Sequence, residues 1–516
     1  MKTLPVSPDL SHLKNQAKQL LRAARNGESE ALRHFAECLP SARGLDPAGL
    51  TSRELALHDA QSVIARDYGF HSWSELKHYV EWTRSVAAER LRTWLAWVLE
   101  GNAAQRHLAR RTLTEQPALF AQDPWLASVT GDEVRLGALI AEDPAFVNRS
   151  GGPLAMPPLI GVSHSGLIRE PGFKEPLLAC ARLLLAHGAD VNASWTDPRW
   201  PDSPLSVLYG AAGRTHDEAM TRLLLEAGAD PNDNESLYHS VESSDDVGTR
   251  LLLSAGARVT GTNALGRVLD FDKLATLRLL LAHGGDAREQ AWIHHAILRG
   301  RSGAHVRALL DAGADPRATG QGGVSLYRYA QQYGRTDVAA MLQAMGIEEE
   351  LSPEEAFVAA CTRADRAAAA DILAREPDIL TRLSERQLRT LPLLAGNGAI
   401  EAVRVMLGLG WPREVKEHEW SATALNKAMF QGDAAMLRLL LEEGADWRTE
   451  HGFGNNVLGT LSYACQAEDI ASVMPQDYVG CARALVEHGV PLSAFEGYDF
   501  SDDVAAFLRH QAPPAT

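Results

Sequence analysis

No stretch of about 18 consecutive apolar residues occurs anywhere in the 516-residue chain, so no segment reads as a membrane-spanning helix. The opening, MKTLPVSPDLSHLKNQAK, has one early lysine and then Pro and Asp where a secretory signal needs an apolar core. A cytoplasmic protein is therefore expected. Cysteine is sparse: Cys38, Cys180, Cys361, Cys465 and Cys481 make an odd set with no C-x-x-C pair, which fits free thiols in a reducing compartment. Positive charge is in deficit, with 50 Lys and Arg against 66 Asp and Glu, and a net charge of −16 argues against a phosphate backbone as the main ligand. Aromatic residues make up only 6%. No low-complexity tract is present, which leaves a globular or repetitive architecture.

The usual signatures of catalysis are missing as well. The chain contains no G-x-x-x-x-G-K-[ST], no G-x-G-x-x-G, no H-E-x-x-H and no EF-hand loop. GVSHSG at 161–166 is similar to a nucleophile elbow, but Ser165 stands where the elbow needs its final glycine and no strand precedes it. It is expected to be a polar loop between helices. His294 and His295 are adjacent, so on a helix they point in different directions, one packing and one solvated, with no further ligands nearby. Neither a metal nor a cofactor is expected.

What the chain has instead is repetition. ARLLLAHGADVNA at 181–193 returns as TRLLLEAGADPND at 221–233, TRLLLSAGARVTG at 249–261, LRLLLAHGGDARE at 277–289, VRALLDAGADPRA at 306–318 and LRLLLEEGADWRT at 437–449. Weaker copies lie near 340, at 403–414 and at 482–494. Most neighbours are spaced by about 28 to 34 residues, the period of a helix-pair solenoid. Each leucine trio should close a helix, and the glycine three residues on suits the left-handed turn that ends it. The next Asp (Asp190, Asp230, Asp315, Asp446) can bond the reversing backbone. EDPAFVN at 142–148, REPDIL at 375–380 and QPALFAQ at 116–122 stop their helices with proline instead. His187, His283 and His488 share one repeat slot just before the glycine, where a helix C-terminus favours them. Partner helices are expected in 204–214, 325–335 and 423–433, with Ala211, Ala330 and Ala428 allowing close packing. A single pair cannot bury its apolar face, so the pairs must stack.

These units resemble the ankyrin repeat family, whose pattern is a T-P-L-H-x-A helix, a second helix ending in LLL-x-x-G-A-D, and a hairpin loop. The second half matches closely in the six copies above. The first half departs, since no unit keeps T-P-L-H, and SLYRYA at 325–330 is among the nearer versions. Tetratricopeptide units lack the G-A-D stop, and HEAT units are longer. The resemblance implies an all-α fold: an ankyrin-type helical repeat solenoid over 85–516, roughly a dozen units with several degenerate, behind an N-terminal helical extension over 1–84.

Within that extension, LSHLKNQAKQLLRAARNG at 10–27 has one apolar face ending at Gly27, and a second helix should run from about 28 to 38. Thr51-x-x-Glu54 and Ser72-x-x-Glu75 read as capping boxes. The stretch 55–81, with its A-Q-x-x-x-A-R-x-Y-G-F-x-S-W core, resembles a leader found before bacterial ankyrin arrays, and so implies a bacterial source. Tyr68, Phe70 and Trp73 are expected to pin this region, and Trp73, Trp82, Trp94 and Trp97 to pack at the core or the junction with the array.

The function this implies is a non-catalytic protein–protein interaction scaffold or adaptor, binding an unidentified protein partner through its loops and concave face, with no membrane and no small-molecule substrate. The irregular stretches 163–176, 192–204 and 466–480 are the expected places for function. Tryptophans at loop phase are the candidate partner-binding residues: Trp195 and Trp200 with Arg199, then Trp411, Trp420 and Trp447. Two alternatives remain. One is regulatory or nucleic-acid binding through Lys14, Lys18, Arg22 and Arg25 on the first helix, and the other is a degenerate enzyme with a loop-borne site.

Overall fold

A computed structural model describes residues 2–5, 7–39, 42, 55, 57–197, 201–467 and 476–511. The chain divides into two compact units, Met1–Ser236 with Ser501–Thr516, and Leu237–Phe500. Residues on both sides of position 84 fall within the first unit. No described helix is long and apolar enough to cross a membrane.

The first unit opens with the helix Leu10–Arg25, capped by Asp9, whose side chain accepts from His12 N–H at 3.0 Å. Leu13, Ala17, Leu21 and Ala24 are buried along one face, as their spacing requires, and Gly27 ends the turn with φ +77°. Ser29–Cys38 follows, and both helices pack on Leu57–Asp67. The helix Asp502–Gln511 packs on Leu57–Asp67 too, bringing the far end of the sequence back to the leader. Tyr68 and Phe70 are buried, as are Trp82, Trp94 and Trp97. The Trp94 indole N–H donates to Ala109 O at 3.0 Å, tying the helix Ala87–Glu100 to Ala103–Glu115. The Thr51-x-x-Glu54 box lies outside the described residues.

Helix pairs then succeed one another. In the first unit they include Leu126–Thr130 with Glu133–Glu142 and Pro158–Ser163 with Lys174–Ala186. In the second they include Ala264–Asp270 with Leu274–Ala282, Trp292–Leu298 with Gly303–Asp311, Leu326–Gln332 with Thr336–Ala344, and Ala424–Gln431 with Ala434–Glu442. The middle leucine of each trio (Leu184, Leu224, Leu252, Leu280, Leu440) is buried against the stack, as are Ala211, Ala330 and Ala428. Burying such a side chain contributes about 1.5–3 kcal/mol. The helices then end as their sequences dictate. His187, His283 and His488 are C-cap residues whose Nδ1 lies 2.8, 2.9 and 2.7 Å from the carbonyl four residues earlier. Asp190, Asp230, Asp315 and Asp446 each accept the backbone N–H two residues on, at 2.8–3.0 Å. One loop grips the next: Asn192 Nδ2 donates to Gly228 O at 3.3 Å while its Oδ1 accepts Asp230 N–H at 2.8 Å.

Gly313 shows what the turn demands. Its φ is +95°, and a Cβ added there would meet nothing within 4 Å. Gly313→Val is therefore expected to cost about 1–2 kcal/mol through backbone strain alone. A lower denaturation midpoint with unchanged helical circular dichroism would show it, and an unchanged midpoint would refute the turn assignment.

The structure departs from expectation in two places here. Residues 204–206 form a short strand, Pro204–Ser206, paired antiparallel with Ser194–Thr196, so the predicted helix there begins only at Val207 and passes into a wider turn at Gly210–Arg214. GVSHSG is not a polar loop: Pro158–Ser163 is helical and Met156 through Ile168 are buried. Its polar side chains are accommodated because they bond backbone, Ser165 Oγ donating to Val129 O at 2.7 Å and His164 Nε2 to Ser206 O at 2.8 Å. In the second unit, the short helices Ile379–Arg382 and Glu385–Leu388 precede Thr390–Gly396. Beside them, Gln332 Nε2 donates to Thr390 Oγ1 at 3.1 Å and Asn397 Nδ2 to Leu298 O, 99 positions away, at 2.9 Å.

Candidate functional site

The second unit brings distant charges together where its first helices end. Asp270 closes Ala264–Asp270, while His295 and Arg299 lie on and just beyond Trp292–Leu298. His295 Nε2 and Arg299 Nε both reach Asp270 Oδ1 at 2.8 Å. The same guanidinium extends to Glu419 Oε1 at 2.5 Å, and Lys427 Nζ lies 3.7 Å from Glu419 Oε2. Burial opposes ionisation of Asp270, yet the His295 and Arg299 contacts outweigh it and hold its carboxyl below the usual range. Glu419 behaves likewise, burial being overcome by Arg299 and Lys427. Burial lowers Lys427, only partly offset by Glu419. Carboxylates so paired are stitches between segments rather than free acids or bases. His294 is buried as expected, but its neighbour His295 is half-buried and hydrogen-bonded to Asp270 rather than solvated.

Beside this seam lies an aromatic strip. Trp420 sits before Ala424–Gln431, on a loop shaped by the buried Glu417 carboxylate, which accepts the N–H groups of Glu419, Trp420 and Ala422 at 2.5, 3.0 and 3.1 Å. Its ring centroid is 5.8 Å from Phe430 and 6.4 Å from Phe453, and Phe430 stacks on Tyr463 at 6.4 Å. Lys427 Nζ stands 5.6 Å from the Trp420 ring. The loop is held from the other side by Gly452 N–H donating to Trp420 O at 2.7 Å, and Tyr498 Oη donates to Asn455 Oδ1 at 2.8 Å. Phe453 is 80% exposed and Tyr463 67%, so two aromatic side chains project into water from a fixed base.

The tryptophans predicted to bind a partner fall in different settings. Trp195 is buried, its indole N–H donating to Leu154 O at 2.9 Å. Trp411 is buried too, donating to Leu388 O at 3.0 Å and stacked on Phe357. Both are occupied in packing their own loops. Trp447 is half-buried under the Arg448 guanidinium, 4.5 Å from its ring centroid, and Trp420 is half-buried within the strip. Arg199 and Trp200 lie outside the described residues. Phe430, Phe453 and Tyr463 were not singled out from sequence, because a lone aromatic at each position carries no periodic signal; only the fold places them together.

Three of the buried cysteines are held as thiols. Burial pushes the thiols of Cys180 and Cys361 up to about 12 and raises that of Cys481 further. The small cavity beneath Trp125, lined by Leu95, Leu126, Ser128, Val129, Pro153 and Met156 among others, has no titratable side chain in its wall.

No family profile matches the chain, and no curated protein sequence matches it either. Among solved structures, the human ASB11 ankyrin repeat domain is similar at 19% identity over 44% of this chain and 98% of that one, with a TM-score of 0.21. The ankyrin repeat domain of Bcl-3, a unique member of the IkappaB protein family, is similar at 17% identity over 43% of this chain and 92% of that one, also with a TM-score of 0.21. The all-α, ankyrin-like character of the fold is visible in its own helix pairs, left-handed glycine turns and capped loops.

Proposed function

We propose that this chain is a non-catalytic interaction scaffold that docks a protein partner on the strip formed by Trp420, Phe430, Phe453 and Tyr463. The observation that carries the reading is the pair of exposed rings, Phe453 and Tyr463, held in ring contact with two half-buried ones, Trp420 on a loop fixed by hydrogen bonds and Phe430 on the helix Ala424–Gln431. Rigid aromatic side chains lose little entropy on binding and supply large apolar area, the usual make-up of an interface hot spot. The Arg299–Glu419 ion pair ties the end of the helix Trp292–Leu298 to the loop that carries Trp420, which helps to hold the strip in place. Ion-paired carboxylates and protonated, buried thiols support the non-catalytic part.

A pull-down from the source lysate tests it, comparing the native chain with Phe453→Ala/Tyr463→Ala. Both side chains are exposed, so the double variant is expected to fold normally and to lose the captured protein, with affinity falling by tenfold or more, about 1.4 kcal/mol. An identical captured set from both proteins would remove the strip from consideration. On the first helix, Lys14, Lys18 and Arg22 are exposed, whereas Arg25 donates to Leu55 O at 3.0 Å. Three solvated cations on a chain of net charge −16 give little support to a nucleic-acid role.

A further inference from the structure

The helix Trp73–Arg84 begins on a turn whose acidic member has an unusual setting. Ser72 Oγ accepts Glu75 N–H at 2.9 Å, and Glu75 Oε2 accepts the N–H of His71, one residue earlier than a capping box requires, at 2.5 Å. At most helix starts such a carboxylate lies in water, but the Glu75 side chain has no exposure at all. Its other oxygen, Oε1, meets Nδ1 of His107 on the helix Ala103–Glu115, and His71 Nδ1 stands 3.7 Å from Oε2. The two imidazole rings lie tilted at 44° to each other with centroids 4.2 Å apart. One donor atom from each of the three residues lies within 4.8 Å of the others.

A buried carboxylate is ordinarily matched by a permanent cation or by a metal ion. Among the described residues, the Glu75 carboxylate pairs with neither lysine nor arginine; its partners are two imidazoles and a backbone N–H. The nearby Arg111 is engaged elsewhere, over the Phe70 ring and on Glu115 at 2.8 Å. A second cluster, His34, Cys38 and Asp67, differs on this point. Asp67 already holds the Lys2 ammonium at 2.7 Å as well as His34 at 2.6 Å, so its charge is met without an ion.

We infer that His71, Glu75 and His107 form a binding site for a divalent transition-metal ion of the zinc type. Two imidazole nitrogens and one carboxylate oxygen are a donor set that suits zinc and its neighbours better than magnesium or calcium, which prefer oxygen alone. The His71 side chain is 74% exposed, so its ring is free to close on an ion, and a fourth position would open to water on that side. The ion would clamp the leader helix Trp73–Arg84 to Ala103–Glu115. This inference is independent of the aromatic strip.

Full-length protein stripped with a chelator would be titrated with Zn2+ by calorimetry and with Co2+ by visible absorption. The expected result is one ion per chain, a Co2+ spectrum of low coordination number, and a Zn2+-dependent rise in Tm. His71→Ala removes an exposed ligand without opening the core, and is expected to weaken Zn2+ binding by about 10–100-fold and abolish the Tm rise. Glu75→Gln keeps an acceptor for His71 N–H but removes the charge, and should weaken binding similarly. Cys38→Ser should change nothing. No saturable binding by the native chain, binding unaffected by His71→Ala, or a thiolate charge-transfer band lost in Cys38→Ser would each overturn the assignment.

Discussion

Trp411→Ala is expected to destabilise the second unit by about 3–5 kcal/mol, the cost of emptying a buried tryptophan site. The indole is 2% exposed, stacks on Phe357 with centroids 6.3 Å apart, and donates to Leu388 O, which the variant would leave without that partner. Trp195→Ala should act on the same scale in the first unit, where the side chain is 4% exposed and bonded to Leu154 O. Trp447→Ala, on a half-buried loop residue, should stay within about 0.5 kcal/mol. Denaturant titrations of the three variants decide the matter. Equal, small losses in all three would mean that the loops carry no fixed packing and that the burial of Trp195 and Trp411 is not a feature of the folded protein.

Acid should weaken the first unit through one histidine. Burial above all, with Arg214 adding to it, pushes the His164 imidazole down to about 3, although its bond to the Ser206 carbonyl pulls the other way. Unfolded, an imidazole takes up its proton near pH 6.5. Between those two values the unfolded chain binds a proton that the folded chain refuses, so stability falls as pH falls. The slope is about 1.4 kcal/mol per pH unit, which gives a loss of about 2 kcal/mol at pH 5 relative to neutral pH. His164→Gln retains a donor for Ser206 O and should flatten the profile by that amount. His294, His305 and His451, all lowered chiefly by burial, add a background of the same sign, so the difference between the two proteins is the quantity to read. Superimposable profiles would show that His164 is protonated in the fold or open to water. Because Trp195 lies edge-on to His164, with centroids 6.4 Å apart, Trp195→Ala should shrink the same slope, and the two substitutions should not add.

Much of this architecture is readable from residues alone, because the array repeats its instructions. Leucine trios, glycines three residues on, and the following Asp recur at one spacing, and each has a single physical use at a helix end. The leader helices were legible for the same reason, through the face made by Leu13, Ala17, Leu21 and Ala24. What escaped the sequence is what depends on distance along the chain. His164 and Ser165 look like surface until Ser206 and Val129 supply their partners. Trp195 and Trp411 look like loop residues available to a partner until Leu154 and Leu388 are seen to receive their N–H groups. Phe453 and Tyr463 acquire meaning only beside Trp420 and Phe430.

The contacts between Asn397 and Leu298, and between Arg299 and Glu419, also bear on how the second unit is reached from the unfolded chain. A purely nearest-neighbour stack can nucleate at any pair and grow outward with only short loops to close. Here a loop of about a hundred residues must close before the stitch forms, at an entropic cost that rises with the logarithm of its length. Formation of the helix pairs on either side should therefore run ahead of the stitch, making their mutual docking the late and slow event. Once made, the stitch joins two stretches that would otherwise fray separately, so an opening at either is resisted by both.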